Sequence, residues 1–387
     1  MDLDAFTELL TPRGQRALAE AVELTGADPV AAATRLRRTY DAALTSAALT
    51  QAGLRERAKA KFGADAAKMY FTPHGLEQST RTEVAEHRAR RVRDVRVLDA
   101  CCGVGGDFLA LARAGCAVDA VDLDPLTVAV ARANAEALGL AGQVRVSVGD
   151  AAEAEPEAYD VLFADPARRG GKGRTFDPMA YSPPWPVVLD LVARARRACL
   201  KVAPGIPYEF IPEGAEAEWV SYKGEVKEAT LWTGTGTGAA HRATLLPSGH
   251  TLAATGAQAP VGPVGRYVYE PDGAAIRAHL VGEVTEMING RLPDPMIAYI
   301  TADEPVDTPW ASRYEVDEVI PFSLKRLRTA LRARRIGNVT IKKRASAVDI
   351  ERLRTDLRLS GENSGVIILT RILDKPSVII CNPTPPA

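Results

Sequence analysis

What the sequence has little of narrows its chemistry first. Five cysteines occur in 387 residues (Cys101, Cys102, Cys116, Cys199, Cys381), with no CxxC pair and no neighbouring histidine cluster. That odd, scattered set points to neither a disulfide framework nor a zinc site, so the thiols read as small buried residues. An excess of either charge is also absent, since 48 Lys and Arg stand against 49 Asp and Glu. No whole-molecule positive field draws the protein to nucleic acid or to an anionic membrane, and any such attraction must be local. No stretch approaches the roughly 20 apolar residues that span a bilayer. The start, Met1-Asp2-Leu3-Asp4, lacks the basic leader and apolar run of a secretory signal. The expectation is a cytoplasmic protein with neither membrane nor metal among its partners, and no pattern encodes an oligomeric state.

What is present suggests two or three domains. The first ninety residues alternate helical patterns with start signals. Thr11-Pro12 and Asp28-Pro29 each offer an N-cap followed by proline, and Gly26 sits at a helix stop. A further helix is expected from Thr80, which has capping-box spacing to Glu83 and leads into the basic run Arg88 to Arg93. From Val95 short apolar runs alternate with helical patterns, the mark of a parallel sheet. These runs are Val95–Leu98, Ala117–Val121, Val144–Val148, Val161–Ala164 and Cys199–Val202, with Trp219–Tyr222 and Ala229–Thr233 as an antiparallel pair. The Thr/Gly alternation Thr233 to Gly238 and the Ala/Gly/Pro-rich residues 252–266 predict a flexible boundary. After Tyr267 a smaller α/β unit is expected, with strands Met296–Thr301, Val339–Lys342, Val366–Arg371 and Val378–Cys381. The division is thus 1–90, 91–255 and 256–387.

The segment Val97-Leu98-Asp99-Ala100-Cys101-Cys102-Gly103-Val104-Gly105-Gly106-Asp107 sets an acidic residue at a strand end and then three glycines before a helical pattern. Glycines there let the backbone approach a ligand closely, and the spacing stops short of the GxGxxG of dinucleotide sites. In Val121-Asp122-Leu123-Asp124-Pro125, Asp122 ends the second strand as an acceptor for ribose hydroxyls, while Asp124 and Pro125 open a helix that Gly139 ends. The third strand ends in Gly149-Asp150-Ala151, which places Asp150 to accept from an adenine amine. Three acidic strand ends at this spacing fit S-adenosylmethionine first and a dinucleotide second.

Residues 94–200 resemble class I S-adenosylmethionine-dependent methyltransferases. The glycine turn and Val121-Asp122-Leu123-Asp124-Pro125 are especially similar to trimethylguanosine synthase-type domains. Over most of its length the chain resembles bacterial methyltransferases with a C-terminal THUMP-like domain. That likeness rests on Gly75-Leu76-Glu77-Gln78-Ser79-Thr80 with Val84-Ala85, on Asp165-Pro166-Ala167-Arg168-Arg169 and on Ile341-Lys342-Lys343-Arg344. It implies a Rossmann-like class I sheet with an all-helical N-terminal domain and a small α/β C-terminal domain. It also implies that S-adenosylmethionine is held by Asp99, Gly103, Gly105, Asp122 and Asp150 with their neighbours Cys101, Leu123 and Ala151, and by Asp165.

Asp165-Pro166 closes the fourth strand at the carboxyl edge, where ligands sit in open α/β sheets. Amine methyltransferases place Asp, Asn or Ser before Pro-Pro and an aromatic here, to accept the target's hydrogens and aim its lone pair. This is catalysis by positioning. Asp165 and Pro166 are therefore the expected orienting groups, but Ala167 and Arg168 replace the second proline and the aromatic. Arg168 and Arg169 can grip a phosphate or carboxylate, or simply pair within their own loop. Ser182-Pro183-Pro184-Trp185 either opens the helical pattern Val187 to Ala198 or lets Trp185 supply the missing aromatic face. No cysteine adjoins Asp165-Pro166, which disfavours covalent carbon methylation, and His74 and His241 read as structural.

Basic residues crowd Lys325 to Arg358, with Leu324, Leu327 and Leu331 at helical spacing for a core face. The run reads either as a solvated helix or, with Lys342, Lys343 and Arg344, as an RNA phosphate contact. Without an aromatic single-strand platform, structured RNA is the better expectation. The composite reading is an N-methyltransferase acting on an exocyclic or ring nitrogen of rRNA or tRNA. A protein or small-molecule N-methyltransferase, and a module that binds S-adenosylmethionine or RNA without turnover, remain as alternatives.

Overall fold

The computed structural model describes residues 1–168, 177–234 and 239–382, with the side chain of Arg168 also outside the description. Contacts divide the chain into two compact units, Met1–Ala217 with Glu228–Thr237 and Glu218–Lys227 with Gly238–Ala387.

The first unit begins with helices α1 (Leu3–Leu9), α2 (Pro12–Glu23), α3 (Pro29–Leu36), α4 (Ala42–Phe62), α5 (Pro73–Gln78) and α6 (Thr82–Ala89). Short polar side chains cap five of these starts by accepting orphan backbone N–H groups: Asp2, Thr11, Asp28, Asp41 and Thr72. The expected caps at Thr11 and Asp28 are formed as read, each with its proline in the first turn. The capping box at Thr80 is not. Helix α6 starts after Arg81 without a side-chain cap, and the Thr80 side chain is turned to Asp107 in the glycine turn, to which its hydroxyl donates at 2.9 Å. A long-range partner has outcompeted the local one.

Strands β1 (Arg96–Asp99), β2 (Ala117–Asp122), β3 (Val144–Val148), β4 (Val161–Ala164), β5 (Ala167–Arg168), β6 (Tyr181–Ser182), β7 (Ala198–Val202), β8 (Glu216–Tyr222) and β9 (Glu225–Thr233) follow, with helices α7 (Phe108–Arg113), α8 (Pro125–Ala137) and α9 (Trp185–Arg194) between them. Within the first unit the strand order is β9-β7-β4-β1-β2-β3. Strands β7, β4, β1, β2 and β3 run parallel, and residues Ala229–Thr233 of β9 run antiparallel to β7. This is the doubly wound arrangement expected of a Rossmann-like methyltransferase sheet, and its strand order reverses at β1/β4, where such sheets bind ligands. Phe6, Leu9, Leu44 and Phe71 of the helical part share one hydrophobic core with Val97, Val118 and Phe163 of the sheet. Asn134 on α8 ties the two parts, accepting from Tyr70 N–H (2.6 Å) and donating to Tyr70 and Val104 carbonyls (3.0 and 2.8 Å). The five cysteines are unpaired; four are buried and Cys101 is half-buried.

Between β8 and β9 lies a two-residue turn, Lys223-Gly224, in which both residues have positive φ (52° and 79°), the combination that matches hairpin twist. The second unit continues with β10 (His241–Leu246), β11 (His250–Ala253), β12 (Tyr267–Pro271), α10 (Gly273–Arg277), α11 (Val281–Ile288), β13 (Ile300–Ala302), β14 (Ala311–Pro321), α12 (Leu324–Ala333), β15 (Ile336–Lys343), α13 (Ile350–Leu357), β16 (Asn363–Ile372) and β17 (Lys375–Cys381). Its main sheet has the order β13-β12-β14-β17-β16-β15. Only β15 and β16 are parallel, joined through α13. As the leucine spacing predicts, Leu327 and Leu331 of α12 are fully buried. The expected strand Met296–Thr301 is corrected to Ile300–Ala302, because Asp294 accepts from Met296 N–H in a turn that leaves Met296 81% exposed. Strands β10, β11, β12 and β14 escaped the sequence reading. For β14 the reason is visible in its alternation of half-buried and charged residues, which never forms an apolar run.

Candidate functional site

At the carboxyl edge of β1, β2, β3 and β4 a cleft of about 250 Å³ opens within the first unit. Its walls include the glycine turn Ala100–Val104, Asp122-Leu123, Gly149–Ala152, Asp165, and Gly75, Gln78 and Ser79 around the end of α5. Cys101, Gly103, Leu123, Asp150 and Ala151, all expected near a cofactor, lie together on this surface.

The turn is shaped by its glycines. Gly103 and Gly105 adopt φ of 54° and 101°, and a Cβ on Gly105 would stand 2.5 Å from the Phe108 ring. Asp122 braces the turn from β2, accepting from Gly103 N–H at 3.1 Å and from Asp124 N–H at 3.0 Å. Asp150 accepts from Ala152 N–H at 2.9 Å. Gly105 itself, unlike Gly103, does not line the cleft.

Nor does Asp99, which is fully buried at the end of β1 beneath the turn. One of its carboxylate oxygens accepts from Cys101 N–H (3.3 Å), and the other has no hydrogen-bond partner. Burial, reinforced by the charges of Asp107, Asp165 and Asp122, pushes its pKa well above the usual carboxylate range. Burial likewise raises the Cys101 and Cys102 thiols, which leaves both as poor nucleophiles.

From the cleft inward runs a chain of buried charges that sequence reasoning missed, with Asp107 as well as Asp165 on the cleft wall. Lys201, next to the carboxyl end of β7, donates to Asp165 Oδ2 and stands 3.7 Å from Asp107. Asp107 accepts from Arg88 of α6, and Arg88 reaches on to Glu228 of β9. The Arg88 guanidinium also lies over the Phe163 ring, 5.1 Å from its centroid. Burial works against the charge on Asp107, yet Arg88 and Lys201 hold its pKa below the ordinary value. Burial opposes the charge on Lys201 too, and Asp165 and Asp107 more than offset it. A lysine inside a fully buried strand was the available signal, since such a residue needs a partner.

Of the expected reaction centre, Asp165 lines the cleft, and its side chain is 26% exposed. Pro166 is buried beside it, outside the lining. Arg169 and the side chain of Arg168 lie outside the described residues. Ser182, Pro183 and Pro184 do reach the cleft, but Trp185 turns away. It opens α9, is 3% exposed, and packs edge-on against Tyr181 and Phe210 at 6.2 and 6.4 Å between centroids. The idea that Trp185 supplies an aromatic face to the site is therefore corrected; its ring is committed to the core. In the second unit Lys342 pairs with Glu270 (2.9 Å), Lys343 donates to the Val348 carbonyl (3.0 Å), and Arg344 donates to the Ala298 carbonyl (3.0 Å) over the Tyr299 ring. No helix among the described residues is long and apolar enough to cross a membrane.

Acidic ends on adjacent parallel strands, a turn whose positive φ values demand glycine, and a cleft at the switch point fit an adenosine-bearing cationic donor. Comparisons with known proteins agree. A methyltransferase domain model matches residues 97–166, a THUMP domain-like model residues 311–383, and a domain of unknown function (DUF8688) residues 2–58. A solved structure from Porphyromonas gingivalis W83, assigned as a methyltransferase, shares the fold with a TM-score of 0.77 at 21% identity, covering 95% of this chain and 98% of that one. An uncharacterized RNA methyltransferase of Parasynechococcus marenigrum is 28% identical over 140 residues, 33% of this chain and 30% of that relative. An uncharacterized S-adenosylmethionine-dependent methyltransferase of Mycobacterium tuberculosis (strain H37Rv) is 36% identical over 353 residues, spanning 86% of this chain and 95% of the relative. At that identity and coverage the chain belongs to the S-adenosylmethionine-dependent methyltransferases.

Proposed function

We propose that the protein transfers the methyl group of S-adenosylmethionine to a nitrogen of a base in structured RNA. When bound, the cofactor supplies a methyl group activated on a sulfonium. The chain's own residues do the rest. Asp122 accepts from the ribose hydroxyls, Asp150 from the adenine amine, and Cys101, Gly103, Leu123 and Ala151 form the surface between them. Gly105 shapes the turn from behind. Asp99 acts through that turn, by holding the Cys101 N–H.

Asp165 orients the acceptor, with Pro166 fixing the strand exit. The observation that carries this reading is the placement of Asp165 on the same cleft as Asp122 and Asp150, at the carboxyl end of β4. A carboxylate there accepts an N–H from the incoming nitrogen and aims its lone pair. It also stabilises the positive charge that grows on nitrogen as the methyl group arrives.

RNA as acceptor is supported by the THUMP domain-like match and by the partial likeness to an RNA methyltransferase. Exposed Lys325, Arg326, Arg332, Arg352 and Arg358 on and beside α12 and α13 offer phosphate contacts. Lys342, Lys343 and Arg344 join them to the extent that RNA displaces their present partners. In this reading residues 1–90 wall the cleft, 91–255 bind the donor, and 256–387 engage RNA, with Arg168 and Arg169 gripping a phosphate near the acceptor. The test is incubation of the full chain with tritiated S-adenosylmethionine and RNA from a strain lacking the protein, followed by nucleoside analysis. Label confined to protein or metabolites overturns the RNA reading.

A further inference from the structure

Asp165 terminates a line of alternating buried charges: Asp165, Lys201, Asp107, Arg88, Glu228. The inner four side chains are each 9% exposed or less, whereas Asp165 is 26% exposed on the cleft. Oδ2 of Asp165 receives the Lys201 ammonium, and among the described residues Oδ1 accepts no hydrogen bond. Asp165 is thus the most exposed member of the line, and its side chain lines the cleft.

The geometry points to Lys201 as a positioning residue: by holding Oδ2 it fixes the Asp165 carboxylate against the cleft and leaves Oδ1 to accept an N–H of the methyl acceptor. This rests on the N-methylation reading above. Lys201 can do this because it stays charged despite burial, held by Asp165 and Asp107. The remaining charged groups around the pair come from other elements. Arg88 on α6 and Glu228 on β9 act on Lys201, and Asp99 on β1 faces both Asp107 and Asp165. Arg168 and Arg169 follow Asp165 in sequence, their side chains outside the description.

The experiment compares the parent with Lys201→Met, Lys201→Arg and Asp165→Asn in the full chain, using tritiated S-adenosylmethionine and RNA from a strain lacking the protein. Three quantities are read: cofactor affinity by calorimetry, KM for the RNA, and kcat. Lys201→Met is expected to bind the cofactor within about threefold of the parent and to lose at least about thirtyfold in kcat. Lys201→Arg, which keeps a cation against Oδ2, recovers at least about tenfold of that loss. Asp165→Asn loses kcat, and adding Lys201→Met to it costs little more. The inference is overturned if Lys201→Met keeps the parent's kcat, if its loss follows cofactor affinity, or if Lys201→Arg does no better than Lys201→Met. Should Lys201→Met fail to fold, Lys201→Gln takes its place under the same criteria. Failure to label RNA with the parent protein sinks the RNA reading instead.

Discussion

The substitution Asp99→Asn should make this protein more stable at neutral and alkaline pH, and the sign follows from one buried carboxyl group. Asp99 is fully buried, spends one oxygen on Cys101 N–H, and leaves the other unpartnered. Burial raises its pKa well above the ordinary range, helped by the charges of Asp107, Asp165 and Asp122. A folded-state pKa above the unfolded one means that the native state holds the proton more tightly. Below the ordinary carboxylate pKa both states are protonated and titration of Asp99 costs nothing. Between the ordinary and the raised pKa, stability falls as pH rises, by up to about 1.4 kcal/mol per pH unit. Above the raised pKa the whole loss is in place. The amide that replaces the carboxyl group keeps an oxygen for Cys101 N–H and has no proton to lose. Asp99→Asn should thus match the parent near pH 4 and exceed it at pH 8 by about 1–3 kcal/mol, the scale of a buried group without its partner. Asp107, whose pKa is lowered, and Glu228, whose pKa is raised, titrate in both proteins and cancel in the difference. Urea unfolding at fixed ionic strength from pH 4 to pH 8.5, followed by tryptophan fluorescence, measures the gap. A gap that is constant, or that narrows as pH rises, refutes the reasoning.

Three further outcomes test other parts of the structure. Gly105→Ala forces an L-residue to φ 101° and a Cβ to 2.5 Å from the Phe108 ring, so calorimetry should show S-adenosylmethionine affinity reduced at least about tenfold, with a lower Tm. Arg88→Met leaves Asp107 and Glu228 buried with Lys201 as their nearest remaining cation; thermal unfolding should register a loss of about 3–5 kcal/mol, partly recovered by adding Glu228→Gln. Trp185→Ala removes a ring that is 3% exposed and edge-packed on Tyr181 and Phe210. It should cost about 3–5 kcal/mol of stability while leaving kcat per folded molecule near the parent's; a selective collapse of kcat in a stable variant would return the tryptophan to the active site.

Local grammar was legible wherever one short segment decides its own structure. Strands Val144–Val148 and Val161–Ala164 are apolar runs of the expected length and fall where the sequence placed them. Thr11, Asp28 and Asp124 each cap the helix that their proline opens. Such features need only neighbours three or four residues away. Reading failed where a distant group competed. Thr80 has the right spacing for a capping box, but its side chain is oriented to Asp107, 27 residues on, to which its hydroxyl donates. Strand β14 carries charge along its length and pairs with β12 and β17, and neither partner can be seen from within the segment.

What the sequence by itself determined, then, is the donor half of the protein: an alternation of strands and helices, glycines after the first strand, and acidic residues at successive strand ends. These lie on consecutive segments, and parallel βα units bring consecutive strand ends to one edge. Only the tertiary structure decided what stands behind that edge. Lys201 reaches Asp165 across 36 residues and Arg88 reaches Glu228 across 140, contacts that exist only once β7 lies beside β4 and β9 beside β7. The same folding buried Asp99 beneath its own glycine turn and aimed Trp185 into the core. Burial and ion pairing depend on which surfaces meet, and no spacing within a single segment specifies that.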